Sequence, residues 1–116
     1  MTQTLKKHER LKQKAQFRYV FSAPFVRKKS GIVLLARKNQ VTYPRIGIII
    51  PKKYIKKAHE RHYFKRLIRE SFRYKKHKLD NFDVIIIVKR RCIFHQKEKF
   101  FHLLAGLWKH LIKYSE

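Results

Sequence analysis

Apolar positions along the chain fall into two kinds of run. In AHERHYFKRLIRESFR (58–73), Phe64, Leu67, Ile68 and Phe72 recur at spacings of three and four around the small Ser71, which predicts a helix with one buried stripe. KAQFRYVF (14–21) places Phe17, Val20 and Phe21 at the same spacing before Pro24 stops the chain from continuing as a helix. A last helix from Gln96 to Tyr114 carries Phe100, Phe101, Leu103, Leu104, Leu107, Trp108, Leu111 and Ile112, a face wide enough to cover one side of a sheet. The second kind is continuous. Ile32–Ala36, Arg45–Ile50 (RIGIII) and Phe82–Val88 (FDVIIIV) predict strands, the last two too apolar for a wet face, which points to a central position for 45–50. FVRKKS (25–30) reads as a basic turn, and KNQVTYP (38–44) as the hairpin connection between the first two strands. Strand, helix and strand from 45 to 88 make a βαβ-like unit within an α/β fold, a two-layer sandwich in the order α-β-β-(β)-α-β-α.

Charge changes this picture more than composition does. The 116 residues hold 31 Lys and Arg against 7 Asp and Glu, a formal net charge of +24, yet 44% of the residues are hydrophobic, so a folded body carries the charge. That body is expected to be one domain, with the charged residues 1–12 mobile until they meet a partner. Between Lys52 and Lys78 there are twelve basic and two acidic residues. Arg61, Lys65, Arg69 and Arg73 recur every four residues on the predicted helix, with His62 and Arg66 on a neighbouring line. Like charges at that spacing repel by about 0.2–0.5 kcal/mol per pair, so the row does not serve the helix itself; a polyanion laid along it accounts for it. Nucleic acid is the expected partner. The apolar runs are too short to span a bilayer and no signal-peptide core is present, so a cytoplasmic protein with no membrane partner is expected.

Several chemistries find no support. No phosphate-cradling glycine motif occurs, and the seven acids are dispersed beside Lys or Arg rather than clustered for two-metal work. The single cysteine, Cys92, excludes an internal disulfide and a multi-cysteine zinc site; beside Arg90 and Arg91 it reads as a semi-buried structural thiol. His59 and His62 read as surface or RNA contacts before metal or acid–base groups. Phe17 and Phe21 are either core or the wall of a groove that stacks unpaired bases. Composition alone favours a ribosomal or general RNA-binding protein, with a free-standing ribonuclease as a further rival reading.

FRYVF, RIGIIIPKK, AHERHYFKRLIRESFR and DVIIIVKR, in that order, closely resemble the bacterial ribonuclease P protein component, over roughly residues 8 to 112. The helix carries the likeness. Ala58, Arg61, Lys65, Arg66, Arg69, Glu70, Phe72 and Arg73 fit the family signature A-x-x-R-N-R-x-K-R-x-x-R-E-x-F-R, while His62 stands for its Asn and Tyr63 for its second Arg. Tyr63 exchanges a bidentate charge for a ring that can stack. The resemblance implies a left-handed βαβ crossover and a non-catalytic protein component of a ribonucleoprotein endoribonuclease that removes the 5′ leader from precursor tRNA. Its implied partners are the ribonuclease P catalytic RNA and precursor tRNA, with the protein otherwise monomeric. It implies no catalytic residue and no metal on the protein, with Mg²⁺ held mainly by the RNA. RNA contacts fall on Lys52, Lys53, Arg61, His62, Lys65, Arg66, Arg69 and Arg73. A leader groove falls on Phe17, Phe21, Val33, Leu35 and Ile49, with Lys65 and Arg69 on the adjoining helix flank. Val33, Leu35 and Ile49 read equally as core.

Overall fold

The computed structural model describes residues 5–89 and 96–116. Helix α1 (Lys14–Ser22) is followed by strands β1 (Phe25–Lys29), β2 (Ile32–Lys38) and β3 (Arg45–Ile49), helix α2 (Ala58–Lys75), strand β4 (Phe82–Val88) and helix α3 (Lys97–Ser115). Short 3-10 turns occupy Lys7–Glu9 and Lys76–Lys78. The sheet order is β1-β2-β4-β3; β1 and β4 run antiparallel to β2, and β3 runs parallel to β4. Parallel neighbours joined through α2 are the expected βαβ unit.

Side-chain parity in the strands divides the core in two. Ile32, Leu34, Ala36, Ile46, Val84, Ile86 and Val88 face α2 and α3, where Phe64, Leu67, Ile68 and Phe72 of α2 meet Phe100, Leu104, Leu107, Trp108 and Leu111 of α3, all buried. The apolar stripe of α2 is therefore buried as the spacing predicts. The two helices approach closely at Ser71, whose Oγ accepts the Trp108 indole N–H at 2.8 Å. The opposite face of the sheet carries a smaller cluster of Val33, Leu35 and Ile85 with Val20 of α1 and Leu11.

Three expectations are corrected. Residues 25–29 form a strand, not a turn. Ser30 and Gly31 both have positive φ (50° and 84°), and Lys29 pairs with Ile32, so a two-residue hairpin turn joins β1 to β2. The connection after β2 is not a hairpin, because β4 lies between β2 and β3. Consequently β3 is an edge strand rather than a central one. Its continuous apolar character has another cause: Ile46 and Ile48 pack toward α2, while Gly47 and Ile49 face the α1 side. Its outer edge is met by the N-terminal segment, where Arg10 bridges to Ile46 and the Leu11 N–H donates to the Ile46 carbonyl at 2.8 Å.

The same segment, part of the stretch 1–12, is also held elsewhere. Residues 1–4 lie outside the described residues, but Leu5 and Leu11 are buried, and Glu9 accepts from the Lys76 ammonium at 2.9 Å and from the Lys6 N–H at 2.9 Å. Burial works against the Glu9 charge; the Lys6 N–H and the Lys76 ammonium outweigh it and hold the carboxyl below its usual pKa. A depressed carboxylate pKa stabilises the fold above the unfolded-state value, and that stability is lost as pH falls through the folded-state value. Glu9→Gln should therefore cost about 1–2 kcal/mol in urea denaturation at neutral pH, with the gap to the parent protein closing at acid pH. A gap independent of pH would exclude the ion pair as its source.

Candidate RNA-binding surface

Helix α2 turns its polar side toward the N-terminal segment. Arg66, Arg69 and Arg73 line an open cleft of about 470 Å³ together with Leu5, Arg10, His62 and Glu70. Four guanidinium groups thus share a space with one carboxylate. The Nε atoms of Arg10 and Arg73 are buried without a hydrogen-bond partner. Burial, and after it the Arg10 charge, push the Arg69 pKa below the usual arginine range. Unsatisfied buried donors and facing like charges cost stability unless an anion supplies acceptors and countercharge. Phosphate oxygens supply both, and the planar arginine fork suits them.

Arg10 is the member of this cleft that sequence reading missed. Its signal was faint: Leu5 and Leu11 flank a charged stretch at a distance that lets both ends bury.

The remaining RNA-contact candidates divide by position. Lys52 and Lys53 are exposed in the turn after β3, with the Lys53 ammonium 5.0 Å from the Tyr54 ring centroid. His62 is exposed at the cleft mouth and Lys65 is half-buried. Arg61 is otherwise engaged. Its Nη1 donates to the carbonyls of Ile55 and Lys56, both at 2.8 Å, so part of its fork fixes the loop entering α2 instead of facing phosphate. The Tyr63 ring packs against the main core with the Arg66 guanidinium 5.7 Å from its centroid, so it supports Arg66 rather than standing free to stack on a base.

On the other face of the sheet, α1 lies across the strands and its side chains sort into three directions. Gln16 and Tyr19 lie beside Asn39, Arg45 and Asp83. Val20 is fully buried over Leu35 and Ile85. Phe17 and Phe21, four apart, point to the remaining side, half-buried and 46% exposed respectively. The strand register supplies the floor there: Val33 lies opposite Ile87, and Ile87 opposite Ile49, a row crossing three strands on one face. Ile49 and Ile87 are half-buried, whereas Val33 is 6% exposed. Leu35 belongs to the next row, beneath Val20, and is groove support rather than groove surface. Ile87 is a floor residue that sequence reading missed, since a run of uniformly apolar residues does not show which of them face the groove.

Gly47 has a specific task in this arrangement. A Cβ built on it would lie 2.7 Å from Cε1 and Cζ of Phe17, so the ring occupies the space that the missing side chain leaves. The C-terminal end of α1 is held by Arg37 of β2. Its guanidinium lies 4.0 Å from the Tyr19 ring centroid and its Nη1 donates to the Tyr19 carbonyl and Ser22 Oγ at 2.9 and 2.8 Å. Below it, Asp83, 1% exposed, accepts from Arg45 at 2.8 and 2.9 Å and from Asn39 Nδ2 at 2.9 Å.

Three acids are thereby spoken for: Glu9 by Lys76, Asp80 by Lys38 and Asp83 by Arg45. Among the described residues no group of three or more His, Cys, Asp or Glu side chains comes together to hold a metal ion, and no helix is long and apolar enough to cross a membrane. Arg90, Arg91, Cys92 and His95 lie outside the described residues.

A sequence model of the family described as Ribonuclease P matches residues 5–112. The chain is 38% identical over 107 residues to the ribonuclease P protein component of Haemophilus influenzae (strain PittGG), spanning 92% of this chain and 90% of that protein. It is 52% identical over 80 residues to that of Baumannia cicadellinicola subsp. Homalodisca coagulata, spanning 69% of this chain and 70% of that protein. The solved ribonuclease P protein of Thermotoga maritima matches with a TM-score of 0.72 at 30% identity, covering 90% of this chain and 96% of that one.

Proposed function

Because the chain belongs to the ribonuclease P protein family, we propose that it binds the ribonuclease P RNA through the α2 cleft and holds the 5′ leader of precursor tRNA in the α1 groove. The observation that carries this reading is the pair of surfaces flanking β3: an arginine cleft with orphaned guanidinium donors, and a strip of aromatic and aliphatic side chains alongside α1. The first has the chemistry of a phosphate site. The second has the chemistry of a stacking platform for single-stranded RNA. Arg10 and Leu11 lie between them, on the edge of β3, and contribute one side chain to each.

In this division of labour the protein carries no catalytic residue. Cationic side chains lower the repulsion between ribozyme and substrate RNA, and the groove restrains the leader so that the scissile phosphate is presented to the RNA active site. Activation of water and stabilisation of developing charge are the chemistry that RNA-held Mg²⁺ supplies. Three of the seven acids suit that assignment, since Glu9, Asp80 and Asp83 are each paired with a lysine or arginine. The protein is taken to act as a monomer on the RNA, in the cytoplasm.

Cleavage of precursor tRNA at low Mg²⁺ tests the reading. RNA-free protein should be inactive, and adding it to a matching ribozyme RNA should raise the rate of leader removal. Cleavage by the RNA-free protein would make it a ribonuclease in its own right, and no gain with the ribozyme would leave a general RNA-binding protein.

A further inference from the structure

Resting on that reading, we propose that the leader groove does not end at β2 but continues onto the edge strand β1, where Val26 and Lys28 form its distal half and receive the upstream nucleotides of a single-stranded RNA.

The register carries this. On the α1 face, Lys28 lies opposite Val33, so the row Ile49–Ile87–Val33 runs on into Lys28, and Val26 lies opposite Leu35 in the next row. The row thus crosses all four strands, about 14 Å at the usual spacing between strands. Helix α1 packs beside it over β2 and β4 and reaches β3 through Phe17. Phe17 lies on Gly47 of β3, whereas Tyr19 and Ser22 are tied to Arg37 of β2, and only Ala23 and Pro24 separate the end of α1 from the start of β1 at Phe25. Phe17 therefore stands at the β3 end of the wall and Phe21 toward β1.

The β1 end also has the surface properties of a binding site. Val26 is an exposed apolar side chain at 37%, Phe21 at 46%, and Lys28 is exposed. Lys89 is exposed after β4 at the same end of the sheet, where its N–H donates to the Gly31 carbonyl at 2.7 Å. A lysine on an edge strand also discourages strand-to-strand aggregation. Arg27 and Lys29 meet that need from the opposite face, Arg27 lying 4.5 Å from the Phe25 ring centroid. They leave unexplained a lysine placed in line with the apolar row. An apolar strip ending in cations fits RNA with its bases on the strip and its phosphates toward Lys28.

The test uses the holoenzyme assembled with its ribozyme RNA and precursor tRNAs carrying leaders of graded length. Lys28→Ala should weaken binding of the longer leaders about 3- to 10-fold at low salt, with a salt slope lower by about 0.7. It should leave the shortest leaders and mature tRNA unaffected. Lys29→Ala, on the opposite face of β1, should match the parent protein throughout. If the parent's affinity rises with leader length but Lys28→Ala follows it at every length, the distal half is refuted and the proximal groove stands. A Lys28→Ala loss of equal size for every leader and for mature tRNA would place Lys28 on the ribozyme and refute the proposal. If the parent shows no dependence on the leader, the groove reading itself falls.

Discussion

Phe17→Ala is expected to lower the affinity of the assembled enzyme for precursor tRNA about 5- to 150-fold while leaving affinity for mature tRNA nearly unchanged. The magnitude follows from the ~1–3 kcal/mol that one base–aromatic stack contributes. Phe17 is half-buried at the edge of the smaller core cluster, so its loss also costs some stability; the ratio of the two affinities separates the effects. Gly47→Ala offers a second route to the same surface, because the new methyl group would displace the Phe17 ring without removing it. It should shift the ratio in the same direction by a smaller factor. A large fall in thermal stability with equal losses for both RNAs would mean that Phe17 is only a core residue.

The second large effect concerns the cleft. Arg69→Gln combined with Arg73→Gln keeps much of each side chain while removing two charges from a space that already holds Arg10 and Arg66. Binding of the ribozyme RNA should weaken, with the salt slope reduced by about 1.4–1.8, as for two lost phosphate contacts. The isolated protein should hold or gain stability at low salt, because the mutual repulsion of the cluster is relieved. These opposite signs mark a site kept at the expense of the fold. A variant that binds ribozyme RNA with unchanged affinity and slope would remove the cleft from the interface.

How much of this was legible depended on whether the information was local. The α2 helix could be read because its apolar stripe and its cationic line both follow the helical period, and the structure buries Phe64, Leu67, Ile68 and Phe72 as that period demands. Strand β1 was hidden because three of its five residues are Lys or Arg and only one face packs; the Ser30–Gly31 turn was the better signal. The edge position of β3 could not be read at all. An apolar run reports that both faces are covered, not which strand lies alongside, and here α1, α2 and the N-terminal segment do the covering. Arg10 entered the cleft through contacts between residues far apart in sequence, and Glu9 with Lys76, 67 positions away, holds the same segment. Ile87 and Leu35 exchanged importance for a similar reason: only the register tells which side chain lies beside α1 and which beneath it.

The central claim is that one surface binds ribozyme RNA while another reads the leader. Its most direct test compares the affinities of the ribozyme RNA for precursor and for mature tRNA, each with and without this protein. The protein should improve the precursor complex by about tenfold or more over any gain for mature tRNA, the scale expected of one or two stacked bases. An equal gain for both RNAs, or none for either, would contradict a leader-holding groove.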